Sequence, residues 1–303
     1  MAGDHLYGGV EAGGTKFICS VGRGAAESIA DAVFATTTPA VTLGQVADFF
    51  EPFCRAGQIE VVGVGCFGPC DLQQASPTYG YITSTPKPGW QNTDLVGTLR
   101  RALSVEIAFD TDVNAAALGE YTWGASRGTD TSLYLTIGTG IGGGYIVDGQ
   151  PLHGLQHPEM GHIGVPHDRE RDPFPGSCPY HGDCLEGLAS GPAIQARFGR
   201  RGEELSGADP FWDLEAGYIA AAVSTYILVN SPQRIILGGG IMQREFLLAR
   251  VKQHVVRLLA GYVRHPAVGD EIDRYIVAPA LGSRSGVLGA IALAAAQGKR
   301  QSK

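Results

Sequence analysis

Long apolar runs are missing from this 303-residue chain: no stretch reaches the ~18–20 residues that cross a bilayer. A basic surplus is missing too. Lys and Arg number 23 against 30 Asp and Glu, a formal net charge of −7, so there is no electrostatic footing for nucleic acid. Cysteine is scarce: 6 residues are too few at this length for a disulfide scaffold. The opening MAGDHLYGG has neither the basic start nor the apolar core of a secretion signal. These absences lead to the expectation of a soluble, cytoplasmic, globular protein with no nucleic-acid or membrane partner. What is abundant is glycine, 44 residues, about twice the usual ~7%. No G-X-Y period runs through it, and 44% of the chain is hydrophobic, which excludes both collagen and a disordered chain.

The length predicts about two domains. Strands are expected at 6–10 and 16–21 around a glycine turn, at 59–65 and at 105–110. A helix is expected near 43–57 and another beginning at Asn114. Residues 68–92, dense in Pro, Gly, Ser and Thr, read as a loop. A second strand–glycine turn–strand unit lies near 133–147, and 153–185 is irregular and rich in His, Pro and Cys. Helices follow at 186–198, 211–229 and 244–261, strands at 234–237 and 276–280, and an apolar helix at 285–297. Alternating strands and helices make this an α/β protein, with a domain boundary expected near 113–130.

Three glycine patterns resemble nucleotide motifs without their context. Gly9 to Lys16 spells G-x-x-x-x-G-T-K, with the Lys and hydroxyl reversed relative to a P-loop and a strand following in place of a helix. Gly63, Gly65 and Gly68, and again Gly138, Gly140 and Gly143, spell G-x-G-x-x-G. Neither is followed by the helix that would hold a pyrophosphate. What remains is two glycine hairpins carrying hydroxyls, Thr15 in one and Thr136 and Thr139 in the other. Each alone reads as a tight turn. Two together read as a phosphate clamp, because successive backbone N–H groups form an anion-binding nest without a helix. Separately, Cys178-x-x-His181-x-x-Cys184 places three soft ligands within seven residues, a spacing suited to tetrahedral Zn²⁺. Spacing leaves the fourth ligand open among His153, His157, His162 and His167. Cys19, Cys54, Cys66 and Cys70 read as small buried residues.

Glu-Ala-Gly-Gly-Thr-Lys (11–16) resembles the first phosphate motif of the actin-like ATPase and sugar kinase superfamily, and within it the ROK family (repressor, open reading frame, kinase). The resemblance continues in order through GCFGPCD (65–71), TPKPGW (85–90), FDTDVNAAALGE (109–120), TIGTGIGGG (136–144), HPEMGHI (157–163), the Cys/His cluster, LASGPA (188–193) and LGGGI (237–241). It spans essentially the whole chain and is most like the bacterial zinc-containing fructokinase branch. Two positions depart from the family pattern: Glu11 stands where Asp is usual, and Thr111 where Asn is usual.

The resemblance implies a two-lobed actin-like ATPase and sugar kinase (ribonuclease H-like) fold with the active site in the interdomain cleft. The small domain would be 1–115, joined by the C-terminal helix at about 287–303. The larger domain would be 116–286, with a zinc loop at 157–186. It implies ATP-dependent phosphorylation of a hexose, foremost fructose, with Mg²⁺. A glucokinase, mannokinase, amino-sugar kinase or non-catalytic sugar sensor would be the alternative. Sequence alone leaves Asp110 and Asp112 equal as the base, with a helix cap as the bland reading of Asp112. The family pattern selects Asp112, and implies sugar contacts at Asn114, Glu159, His162 and Glu186. ATP and its phosphates would meet Gly13, Gly14, Thr15, Lys16, Thr139, Gly140, Pro192, Gly238, Gly239 and Gly240. The family's Glu-x-x-Gly-His points to His162 as the fourth ligand beside Cys178, His181 and Cys184, in a structural Zn²⁺ site. A homodimer is the expected assembly. A repressor of the family would carry an N-terminal helix-turn-helix, which is not expected in a chain that opens on its first strand.

Overall fold

The computed structural model of the chain describes residues 5–25 and 27–301. In chain order come β1 (Leu6–Ala12), β2 (Lys16–Gly24), β3 (Glu27–Ala35), α1 (Pro39–Arg55), β4 (Ile59–Cys66), β5 (Tyr81–Ile82), β6 (Thr93–Asp94), α2 (Leu95–Leu103), β7 (Glu106–Thr111) and α3 (Asp112–Trp123). There follow β8 (Thr131–Ile137), β9 (Ile141–Val147), β10 (Gln150–Pro151), α4 (Leu185–Ala189), α5 (Gly191–Phe198), α6 (Phe211–Asn230), β11 (Arg234–Gly238), α7 (Glu245–Leu259), α8 (Ile272–Tyr275), β12 (Ile276–Val277) and α9 (Ser285–Gln301). The chain divides into two compact units. The first runs to Arg127 and takes in Gly149–Pro158 and the chain from Ser283 onward; the second comprises Gly128–Asp148 and Glu159–Gly282. Helices α3 and α9 each lie whole in the first unit.

The first unit is built on a sheet of order β3-β2-β1-β4-β7. Strands β1, β2 and β3 form an antiparallel meander, while β1, β4 and β7 run parallel. The parallel register sets Glu11, Gly65 and Asp110 in one row at the carboxyl ends of three strands. Successive strand residues point to opposite faces, and β1 shows which helices lie where. A Cβ on Gly8 would meet Phe50 of α1, and one on Gly9 would meet Ile291 of α9. Helix α9 sits unusually close to the sheet. A Cβ on Gly63 would lie 1.8 Å from the Ala290 carbonyl oxygen, and one on Gly289 would lie 1.7 Å from that of Ala115 in α3. Glycine at these places is therefore a seat for a helix, in mid-strand and mid-helix.

In the second unit the strands follow the order β9-β8-β11-β12, with β8 and β9 antiparallel and β8, β11 and β12 parallel. Helix α6 is apolar almost all round and is buried accordingly. Its Trp212, Ile219 and Val223 share one core with Leu133, Leu135, Ile235, Leu237 and Val251.

Several element boundaries differ from expectation. Strand β3 and helix α2 were not anticipated. β3 is an edge strand with a largely exposed pattern and no apolar run, whereas α2 has the short amphipathic face Leu95, Val96, Leu99 and Leu103 behind its Asp94 cap. The helix expected at 186–198 is two helices, parted at Ser190, whose hydroxyl accepts the Ala193 N–H and caps α5. The strand at 276–280 shortens to two residues ahead of Pro279. Helix α3 starts at Asp112, not Asn114, with Thr111 as its cap: the Thr111 hydroxyl accepts the Asn114 N–H at 3.2 Å. Among the described residues no helix is long and apolar enough to cross a membrane.

Candidate active site

In the first unit the functional side chains gather where β1 and β7 end. The β1–β2 turn is closed by the Gly13 N–H donating to the Lys16 carbonyl at 3.0 Å. Thr36, at the exit of β3, fixes its outer side: its hydroxyl donates to the Gly13 carbonyl at 2.7 Å and its N–H to that of Thr15 at 2.9 Å. A Cβ on Gly14 would meet nothing within 4 Å. The turn therefore does not need glycine there for packing, and the open space suits close approach of a ligand to the backbone. Thr15 and Lys16 are exposed at the tip.

The two competing aspartates separate on geometry. Asp110 is buried, and its carboxylate is engaged throughout. It accepts the Thr111 N–H at 2.8 Å, the Asn114 amide Nδ2 at 2.7 Å, and His153 Nε2 at 3.0 Å to Oδ2 and 3.1 Å to Oδ1. Asp112 accepts the Val113 N–H at 2.9 Å at the first turn of α3, and burial lifts its carboxyl to about 6. A carboxyl at 6 is a stronger base than an ordinary aspartate and is still ionised at neutral pH. Glu11 lies near it. Burial, and then the Asp112 charge, raise Glu11 to about 7, against the opposing pull of Lys16. Its Oε2 is buried and has no hydrogen-bond partner among the described residues. An orphaned carboxylate oxygen beside an anionic neighbour suits a hard divalent cation, so Glu11 fits Mg²⁺.

Two histidines weighed only as metal ligands have other places. His153 bonds Asp110, and this hydrogen bond raises its pKa. His157 is buried and accepts the Cys70 N–H on Nε2 at 3.2 Å; burial lowers its pKa and keeps it neutral, with the proton on Nδ1. Their side chains differ from surface histidines only in three-dimensional context, so spacing carried no signal of these roles. Cys66 and Cys70 are buried as expected.

In the second unit the β8–β9 turn is closed by the Gly138 N–H donating to the Gly140 carbonyl at 2.9 Å, with Thr139 exposed at its tip. Two helix starts bracket it. Gly191, opening α5, donates its N–H to the Gly138 carbonyl at 2.7 Å, and Glu186 of α4 accepts the Ile141 N–H at 2.8 Å. Pro192 is exposed on the first turn of α5. The turn after β11 reaches the same region: a Cβ on Gly138 would stand 3.7 Å from the Gly240 nitrogen. Gly239 has a φ of +89°, and a Cβ there would be 2.3 Å from the Ile137 carbonyl oxygen, so no larger residue fits. Gly238 closes β11, where a Cβ would press on Tyr134 and Pro279.

Below this lies the Cys/His cluster. The ligand atoms of His162, Cys178, His181 and Cys184 all lie within 4.8 Å of one another. His162 Nδ1 stands 3.7 Å from the Cys178 sulfur and 3.6 Å from that of Cys184, and His181 Nδ1 stands 3.7 Å from Cys178. Bonds of 2.0–2.3 Å in a tetrahedron set ligand atoms about 3.3–3.8 Å apart, so the group fits a four-coordinate ion. His167 is held elsewhere, bonding Asp183 and the Asp172 carbonyl, both at 2.9 Å. The other nitrogen of His162, Nε2, is 3.8 Å from Glu186 Oε1. Glu186 thus stands between the hairpin backbone and the histidine of the cluster. Glu159 is exposed at the start of the same short turn that carries His162.

The sequence pattern of the ROK family matches residues 7–297. The fructokinase of Zymomonas mobilis subsp. mobilis is 44% identical over 296 residues, covering 96% of this chain and 97% of its own. The fructokinase of Streptococcus mutans serotype c is 44% identical over 292 residues, covering 95% and 97%. Among solved structures, the ROK hexokinase from Thermus thermophilus superposes with a TM-score of 0.78 at 27% identity, covering 97% of this chain and 99% of its own.

Proposed function

Because this chain belongs to the ROK family, we propose that it is an ATP-dependent hexose kinase whose substrate is D-fructose, phosphorylated at its 6-hydroxyl. The two-lobed sugar kinase fold agrees with the solved relatives. The observation that carries the mechanism is the contrast between Asp110, engaged by three donors, and Asp112, lifted to about 6 by burial and bonded to the Val113 N–H. Asp112 is the base that takes the proton from the attacking hydroxyl.

Backbone N–H groups around Gly13, Gly14 and Gly140, with Thr15, Lys16 and Thr139, hold the phosphates. The exposed hydroxyls and the open space over Gly14 support this. Pro192, Gly238, Gly239 and Gly240 border the adenosine. Asn114, Glu159, His162 and Glu186 hold sugar hydroxyls, for which carboxylates are suited as double acceptors. Glu11, with one methylene more reach than the Asp usual in the family, helps hold Mg²⁺. When bound, that ion balances charge on the transferring phosphate. His162, Cys178, His181 and Cys184 hold a structural Zn²⁺: four protein ligands leave no open position, and the ion fixes the loop bearing Glu159 and the face of Glu186. The protein acts as a cytoplasmic homodimer, in keeping with its resemblance to the family.

A coupled assay of ADP release with ATP, Mg²⁺ and fructose, glucose, mannose or N-acetylmannosamine tests the reading. Fructose is expected to give the highest kcat/KM of the four. ADP release that fructose does not stimulate would overturn the assignment.

A further inference from the structure

The segment Gly149–Pro158 belongs with the first unit although it follows β9 in the chain. It carries His153, whose side chain is 42% exposed while the Asp110 carboxylate it meets is 4% exposed. The half-exposed imidazole is thus anchored on a buried carboxylate two residues before Asp112. Asp110 can only accept, so Nε2 of His153 carries the proton of that bond, and Nδ1 is the ring's remaining polar atom. Asn114 is fully buried and belongs to the same cluster. Its amide must turn Nδ2 toward Asp110, at 2.7 Å, and this places Nδ2 3.4 Å from His153 Nε2, a contact of two donors. The orientation leaves Oδ1 as the amide's remaining acceptor, and that atom is buried with no partner among the described residues. A buried acceptor without a donor points to a group supplied from outside the chain. The surroundings specify its chemistry: a donor for Asn114 Oδ1 next to an imidazole that can either give or take a hydrogen bond. Hydroxyl groups do both.

We propose that His153 is a further sugar-contacting residue, held in place by Asp110 as a positioning residue, and that the Asp110–His153–Asn114 cluster selects the hexose. The proposal rests on the kinase reading above. It assigns Asp110 a role although the carboxylate does no proton transfer, and it explains why a carboxylate is present at each of two positions so close together.

The test compares wild type with His153→Ala, His153→Gln, Asp110→Asn and the Asp110→Asn/His153→Ala double variant, in KM and kcat for fructose, glucose and ATP. Loss of a hydrogen bond from this anchored imidazole is expected to raise KM for fructose about 10–100-fold, with KM for ATP unmoved. Asp110→Asn moves KM in the same direction, and the double variant is no worse than His153→Ala, because the two residues act as one unit. His153→Gln, which keeps a donor, recovers part of the loss and carries the comparison if His153→Ala does not fold. An unchanged KM for fructose, an equal rise in KM for ATP, or additive effects in the double variant would overturn the proposal. If wild type phosphorylates glucose and not fructose, the fructose assignment alone fails, and His153→Ala must then raise KM for glucose. If neither sugar turns over, calorimetric titration with each sugar replaces kinetics. Weaker sugar binding by His153→Ala upholds the role of His153, unchanged binding refutes it, and no binding by wild type refutes both readings.

Discussion

Replacing Gly63 by Ala separates the two uses of glycine in this protein. The added methyl would lie 1.8 Å from the Ala290 carbonyl oxygen, 2.8 Å from its carbon and 3.0 Å from the Ala294 nitrogen, all backbone of α9. Ordinary contact needs about 3.5 Å, so helix or strand must move by more than about 1 Å. No rotamer change can relieve a clash with backbone. Overpacking of this kind costs about 1–3 kcal/mol, and a unit of this size loses about 2–4 °C of Tm per kcal/mol, giving an expected fall of about 2–12 °C. Helix α9 also abuts Glu11 through Gly286, where a Cβ would come 2.4 Å from the Glu11 carboxyl carbon. Displacing the helix therefore disturbs the carboxylates, and kcat should fall with Tm. Gly14→Ala is the counterpart: nothing lies within 4 Å of its Cβ, so Tm should hold. KM for ATP should rise by roughly 10–100-fold if a backbone N–H there meets a phosphate. Differential scanning calorimetry and steady-state kinetics on the two variants decide the matter. A Gly63→Ala protein as stable as wild type would refute the seating of α9 on glycine, and a Gly14→Ala protein with unchanged KM for ATP would refute the phosphate hairpin.

Other outcomes follow from the same geometry. With the Asp112 carboxyl at about 6, kcat/KM for fructose should be steady above that pH and fall roughly tenfold per unit below it as the base takes up a proton; a profile flat to pH 5 would contradict this. Glu11 and Asp112 hold protons to about 7 and about 6 in the folded state, so the metal-free folded chain binds more protons than the unfolded one in this range. Their contribution is fully present below about pH 4 and is lost as pH rises through about 6 to 7. Glu11→Gln should therefore be more stable than wild type at pH 8 without Mg²⁺ in urea melts, yet need more Mg²⁺ for turnover; equal stability at pH 8 would argue against a strained buried carboxylate. Elemental analysis should find one zinc per chain. Cys178→Ala should lose it and raise KM for fructose more than KM for ATP, whereas a zinc-free wild type of full activity would remove the ion from the account.

The parts of the molecule legible in the sequence were those where chemistry is written locally. The glycine hairpins, the x₂ spacing of Cys178, His181 and Cys184, and the strand-then-helix placing of Asp112 each lie within a dozen residues. The fourth ligand was not local: His162 and His167 look alike in spacing, and only the fold turns Nδ1 of His162 toward two thiols while Asp183 holds His167. Asp110 and Asp112 were equivalent on paper because hydrogen-bond saturation depends on His153, forty-three residues on. Strand β3 was invisible because an exposed edge needs no apolar run, and that the Thr111 hydroxyl caps α3 shows only in the fold. Gly9, Gly63 and Gly289 sit inside expected strands and an expected helix, but nothing local shows why glycine is needed there: α9 packs on Gly9 and Gly63 from more than two hundred residues later in the chain, and Gly289 of α9 meets Ala115 of α3.

The central claim, that Asp112 is the base of a fructose-phosphorylating site, is tested most directly by measuring Asp112→Asn in turnover and in binding side by side. The substitution keeps the side chain's shape and removes its charge and its capacity to take a proton. The account predicts a loss of kcat of about 10²–10⁴-fold, with dissociation constants for fructose and for a non-hydrolysable ATP analogue close to those of wild type. Turnover near the wild-type rate, or a collapse of binding that accounts for the lost rate, would contradict it.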